Sequence, residues 1–242
     1  MVISVLSYLR SKRLVNYFII FTRLLVGFAF IPSGLTKFYG QPFTTLPLTN
    51  PVGYFFDALH RTGVYWQFLG AAQLLTAFLL MSQRWAKIGS LFYFGLILNI
   101  WLITIGIGFG NTVFITSAMV LAGISLIVWD LESYLILFQE KYEIPKRPSP
   151  HRIDPHWSIF GFGMFIFLAS ICHIPYVFPS VRLTFLGYVF TPFLICLGGS
   201  IWMVWWDTKK QKFLSKNREE LNFTSSQMAF DVKKSDPEPP VK

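Results

Sequence analysis

The chain reads as an all-α membrane protein with six transmembrane helices. Three observations predict it: long apolar runs, few charges, and basic residues gathered in alternate connections. Hydrophobic residues make up 53% of the sequence and charged residues only 14%, against about a quarter charged in an ordinary soluble domain. Mean hydropathy is +0.50. A hydrocarbon core about 30 Å thick takes roughly 20 apolar residues per helical crossing. Runs near that length lie at residues 14–38, 66–81, 86–105, 112–129, 157–177 and 183–206. Their backbone groups must be paired within the lipid, which leaves helices or a closed barrel. Barrel strands are about ten residues long and alternate in polarity; these runs are longer and apolar on all sides, so helices are predicted.

The first run follows Arg10, Lys12 and Arg13. It is too long for the apolar part of a signal peptide and no small-x-small cleavage site follows it, so it is read as a retained helix. The longest external segment, residues 39–65, comes next. There Asn50 before Pro51 is an N-cap with proline at the first helical position, and Gly63 supplies a stop. Tyr54, Phe55, Phe56 and Leu59 share an apolar side while Asp57, His60 and Arg61 are polar, which predicts a short amphipathic helix. It lies on the outer leaflet or folds back over the bundle as a lid; the pattern leaves both open. Gly106, Gly108 and Gly110 between the third and fourth runs mark a tight turn, since no Walker pattern surrounds them.

A four-helix unit thus occupies residues 1–138. Residues 139–156, rich in proline, read as a cytoplasmic linker. The fifth and sixth runs form a transmembrane hairpin over 157–206 with Pro179 in its turn, and residues 207–242 read as a polar, largely disordered tail. The start of that tail, with Lys209, Lys210, Phe213 and Leu214, is a candidate to extend the sixth helix along the membrane surface. No internal repeat is evident.

The formal net charge is +9. On a soluble chain this would raise nucleic acid as a partner, but the distribution gives a different reason. Lys and Arg near membrane spans resist translocation and collect in cytoplasmic connections. Arg10, Lys12 and Arg13 precede the first run; Arg84 and Lys87 separate the second and third. Lys141, Lys146, Arg147 and Arg152 separate the fourth and fifth, and Lys209, Lys210, Lys212, Lys216 and Arg218 follow the sixth. The alternate connections carry Lys37, Arg61 and Arg182. Both termini are therefore expected in the cytoplasm, with the lipid bilayer as the chain's first partner. No basic patch interleaved with aromatics is present, so no nucleic-acid partner is expected. The tryptophans lie mostly near helix ends, as interfacial anchors do.

Polar groups inside the lipid carry the functional signal, because a buried charge costs several kcal/mol unless paired or hydrated. Arg23 lies roughly 12 Å along the first helix; it either snorkels to the inner interface or pairs inside the bundle, and Asp130 is the nearest acid it can reach. Gln73 and Asn99 come out at matching depth on adjacent antiparallel helices, so a hydrogen bond between them is expected as interhelical glue. Lys37 stands at the external mouth beside the amphipathic segment. Cys172 and Cys196 are separated by about 10 Å along the membrane normal, beyond the Cα spacing of about 7 Å that a disulfide tolerates, and read as buried thiols. His173 is a lone proton acceptor or ligand without a second ligand nearby, and His151 and His156 around Asp154 read as a solvated loop rather than a metal site. No hydrolase triad is suggested by any spacing.

Arg23-Leu24-Leu25-Val26-Gly27 leading through Ser33, Gly34 and Lys37, then Phe68-Leu69-Gly70 and Gln73, then Leu80 to Arg84, and finally Trp129-Asp130 resemble the DoxX-type membrane proteins over about the first 138 residues. The resemblance implies a DoxX-like four-helix bundle in the inner membrane, joined here by the extra hairpin. It also implies quinone-linked redox chemistry or a supporting role beside a membrane or periplasmic redox partner. Family members often carry an acid where this chain has Gln73, which counts against proton coupling. The expected function is binding of a quinone or another small apolar molecule, with Arg23, Gln73, Asn99 and Asp130 as the polar lining and Lys37 at the mouth. The alternatives are a small-solute permease, suggested only by a helix break at Pro32 to Gly34, and a purely structural subunit.

Overall fold

The structure, a computed structural model, describes residues 2–138, 155–177 and 191–235. These residues form nine helices and no strand: α1 (Val2–Ser11), α2 (Arg13–Phe38), α3 (Pro51–His60), α4 (Val64–Met81), α5 (Ala86–Gly106), α6 (Thr112–Trp129), α7 (Leu131–Phe138), α8 (Pro155–Val177) and α9 (Thr191–Ser235). Five of them, α2, α4, α5, α6 and α8, are long and apolar enough to cross a membrane, which makes this a multi-pass helical membrane protein. Each of the five begins and ends within two residues of its predicted run. The first part of the sixth run, residues 183–190, lies outside the described residues. So do the linker over 139–154, the turn at Pro179 and the tail from residue 236.

The chain divides into two compact units, Met1–Leu197 and Gly198–Lys242. In the first unit α2 is the central helix and packs on α4, α6 and α8. Small residues allow the closest of these crossings. Gly27 and Gly34 on α2 are seven residues apart, as are Gly70 and Ala77 on α4, so each pair repeats along one face. A methyl group at Gly70 would lie 2.4 Å from Phe38 N and 2.6 Å from Gly34 O; only glycine lets the two backbones approach so far. Helix α2 runs unbroken through Pro32, so the helix break suggested at Pro32 to Gly34 is not formed.

Helix α8, the first arm of the expected hairpin, packs on α2 and α4 within the first unit. Its Gly161 abuts the Met81 carbonyl, where a Cβ would fall 1.8 Å from the oxygen. Phe162 and Phe165 close the same contact on Phe78, with ring centroids 5.9 and 5.4 Å away.

Asn50 caps α3 by accepting a 2.9 Å hydrogen bond from Val52 N, with Pro51 in the first turn. The helix folds back onto the bundle: Val52 and Phe56 are buried with Trp66, and Phe55, Leu59, Ile107 and Phe109 pack around them. Tyr54, expected on the apolar side, is 66% exposed. Gly63, with φ +59°, ends the α3–α4 connection and is the residue before α4. Two short helices, α1 and α7, were not anticipated. In the second unit the helix continues to Ser235, where a largely disordered tail was expected. Residues 207–235 contain no proline and many Lys, Gln, Arg and Glu, which favour helix even where burial is slight.

Candidate functional site

Two buried cations stand on α2, one toward each end of the bundle, and they are accommodated differently. Arg23 is 3% exposed and its Nη2 donates to Asp130 Oδ2 at 2.7 Å. Asp130 is the residue between α6 and α7, where the chain leaves the membrane-spanning helix. Arg23 Nη1 has a longer contact of 3.4 Å to Gln83 Oε1, and its Nε has no partner among the described residues. Gln83 holds φ +56° in the α4–α5 turn, a conformation that costs a non-glycine residue of order 1 kcal/mol. Its amide donates to Leu80 O and Met81 O, which fixes the carbonyl toward Arg23. The pairing reading of Arg23 is therefore the one the fold adopts.

Around this pair the α7 end is tied down. Arg10 of α1 bonds Glu132 at 2.7 Å and the Trp129 carbonyl. Tyr134 Oη donates to Lys87 O at 2.7 Å. Burial, with the Asp130 charge nearby, pushes the Tyr134 phenol up to about 12 while Arg23 and a Ser90 hydrogen bond oppose the shift. The phenol thus stays a donor across the physiological range.

At the other end Lys37 is buried and has no carboxylate partner among the described residues. Its Nζ donates to Ser33 O at 3.1 Å, Ser33 Oγ at 2.6 Å and Gln73 Oε1 at 3.0 Å. Ser33 lies one turn before Lys37 on the same helix face. The rings of Phe43 and Trp66 face the ammonium at 4.9 and 5.3 Å, within the range of cation–π attraction. Trp66 is held by donation from Nε1 to Gln41 O at 3.0 Å and by the α3 cluster. Lys37 was expected at the mouth beside the amphipathic segment, and Phe43 of the α2–α4 connection lies over its ammonium. Beside it, Tyr39 Oη meets His173 Nδ1 at 2.5 Å and stacks on Tyr176 at 4.7 Å, tying α8 to this end.

Gln73 is buried facing α2, because it shares its α4 face with Gly70 and Ala77. The expected hydrogen bond to Asn99 is not made. Asn99 is exposed, two residues along α5 from buried Ile97 and so on the opposite side of the helix. The structure therefore brings Lys37 to Gln73 and Arg23 to Asp130, and leaves Asn99 outside both centres. Cys172 and Cys196 are buried free thiols. Among the described residues no group of three His, Cys, Asp or Glu side chains is placed to hold a metal. Ser33, Phe43, Trp66, Gln83 and Tyr134 join the centres without having been expected as site residues; the four-residue spacing of Ser33 and Lys37 was the one readable signal.

No family model, curated protein or solved structure matches the chain.

Proposed function

We propose that the chain is a DoxX-like protein of the bacterial inner membrane, crossing it six times with both termini in the cytoplasm. It binds a small apolar molecule through an acceptor-bearing head at the Lys37 centre, and a quinone serving a membrane redox partner is the first candidate. The basic residues of alternate connections support the orientation, which puts Arg23 and Asp130 on the cytoplasmic side and α3 outside.

One observation carries the binding reading. Gln73 is 3% exposed and its amide nitrogen donates no hydrogen bond among the described residues, while its oxygen accepts from both Lys37 and Ser33. That nitrogen is not among the fully buried unpaired atoms, so it stays within reach of an incoming acceptor, which would take a hydrogen bond from it. The aromatic faces of Phe43 and Trp66 suit a flat ring, and Lys37 with Gln73 suits a carbonyl oxygen. A quinone would supply two carbonyl acceptors and reversible two-electron chemistry; these side chains would hold and orient it. The test is a thermal shift of the detergent-purified protein with decylubiquinone, together with mass spectrometry of the small molecules it retains. Stabilisation that disappears in Gln73→Leu is expected. Absence of both a shift and a retained molecule would overturn the reading.

A further inference from the structure

Charge balance narrows what the Lys37 centre takes. Between Arg23 and Trp129 the sequence contains one carboxylate, Asp57, and between Trp157 and Trp206 it contains none. Asp57 is engaged by Arg61 at 2.7 Å on the surface of α3. The helices and connections that build the Lys37 end therefore have no acid left to neutralise it. Arg23 shows what this fold does when a partner is available: a carboxylate at 2.7 Å, buried with it. An ammonium buried among neutral acceptors and aromatic faces is stabilised by less than its desolvation costs. Among the described residues no carboxylate supplies the missing negative charge.

We propose that the Lys37 centre binds an oxyanion, the head of an acidic amphiphile or a free small acid, with Lys37 as its cationic contact and the Gln73 amide nitrogen as a second donor. This rests on the ligand-site reading above, narrows the head group from any acceptor to a negatively charged one, and so puts an acidic head ahead of the neutral quinone, which is then expected to bind more weakly than dodecanoate. Ser33 and Gln73 Oε1 hold the ammonium in place, and the oxyanion adds the charge they lack. Phe43 gives the route. It covers the ammonium at 4.9 Å and is itself 40% exposed, so its ring faces Lys37 and is also reachable from the exterior. The neighbouring Leu46 and Leu48 are exposed as well, an apolar surround that suits the tail of an amphiphile better than a hydrated ion alone.

The experiment is a calorimetric titration and thermal shift in a neutral maltoside detergent with dodecanoate, dodecanol, acetate and decylubiquinone as probes. Wild type, Lys37→Met and Gln73→Leu are compared. Dodecanoate is expected to bind and dodecanol not to, with affinity falling roughly tenfold or more in Lys37→Met, as loss of a charge-assisted hydrogen bond requires. Acetate binding as tightly as dodecanoate assigns the oxyanion to a free acid; dodecanoate alone assigns it to an amphiphile. Lys37→Met without ligand is expected to melt at or above the wild-type temperature, because it removes an unbalanced buried charge. A clear fall in its melting temperature would show the charge is balanced within the protein and overturn the proposal. Equal binding of dodecanol or decylubiquinone, lost in Gln73→Leu but not in Lys37→Met, overturns the oxyanion and leaves the ligand site standing. Binding of none of the four probes overturns both.

Discussion

Asp130→Asn turns the best-formed polar contact in the bundle into a measurable loss. Arg23 and Asp130 meet at 2.7 Å with side chains 3% and 10% exposed, and the remaining contact of the guanidinium is the 3.4 Å approach to Gln83. The substitution keeps the shape of the acid but leaves a buried cation among neutral groups. Removing one member of a buried pair costs about 3–5 kcal/mol, whereas replacing both by apolar residues of similar volume is often neutral or stabilising. At about 1.4 kcal/mol per tenfold, the unfolding equilibrium should move by roughly two to four powers of ten. Arg23→Met with Asp130→Leu should recover most of that loss, and exchanging the two charges should restore assembly lost in either single reversal. Reversible unfolding in mixed micelles with rising dodecyl sulfate, followed by far-ultraviolet circular dichroism, reads all the variants on one scale. A double variant destabilised by the sum of its single ones would refute the contact, since side chains that do not touch lose stability independently.

Gly70→Ala should destabilise by about 1–3 kcal/mol, because the added methyl meets backbone on both Phe38 and Gly34. Gly95→Ala, with nothing within 4 Å, should be neutral or gain a few tenths up to about 1 kcal/mol in the same assay. Arg10→Ala should cost less than about 1 kcal/mol, because its ion pair with Glu132 is 23% and 30% exposed; a loss as large as that of Asp130→Asn would contradict the burial argument. Tyr134 has its folded phenol pushed up to about 12, above the ordinary value near 10. Its contribution to stability is complete below pH 10 and is lost as pH rises toward 12. The stability difference between wild type and Tyr134→Phe should therefore shrink over that window, read from unfolding midpoints against pH.

The five long helices were legible because lipid solvation acts on each segment by itself, and hydropathy needs no knowledge of neighbours. Contacts between helices depend on a second coordinate, the face, and there the sequence misled at one position. Gln73 and Asn99 do match in depth, yet Gln73 belongs with Gly70 and Ala77 toward α2 while Asn99 points away from the face of α5 that holds Ile97. Reading the seven-residue spacing of small residues, Gly27 and Gly34 on α2 and Gly70 and Ala77 on α4, as a seam would have paired Gln73 with Lys37. The aromatic cover of Lys37 was not readable at all. Phe43 and Trp66 are 23 residues apart and meet only because α3 reverses the chain over the bundle end.

One face of α2 organises both centres. Arg23, Gly27, Gly34 and Lys37 follow at spacings of four, seven and three residues, which keeps them along one side of a helix. At about 1.5 Å per residue the two cations lie roughly 21 Å apart along α2. Lys37 stands in the last turn of the helix, yet both cations are buried within the protein, so each needs an internal solution. The glycines between them draw α4 close along its length, and α4 leads at one end to Gln83 beside Arg23 and presents Gln73 to Lys37 at the other. The same packing that neutralises Arg23 with Asp130 therefore holds Lys37 against an amide with a donor to spare. That leaves the unbalanced charge at the end of the bundle where α3 and Phe43 form the cover, and it is there, rather than at the Arg23 end, that a ligand's charge would count.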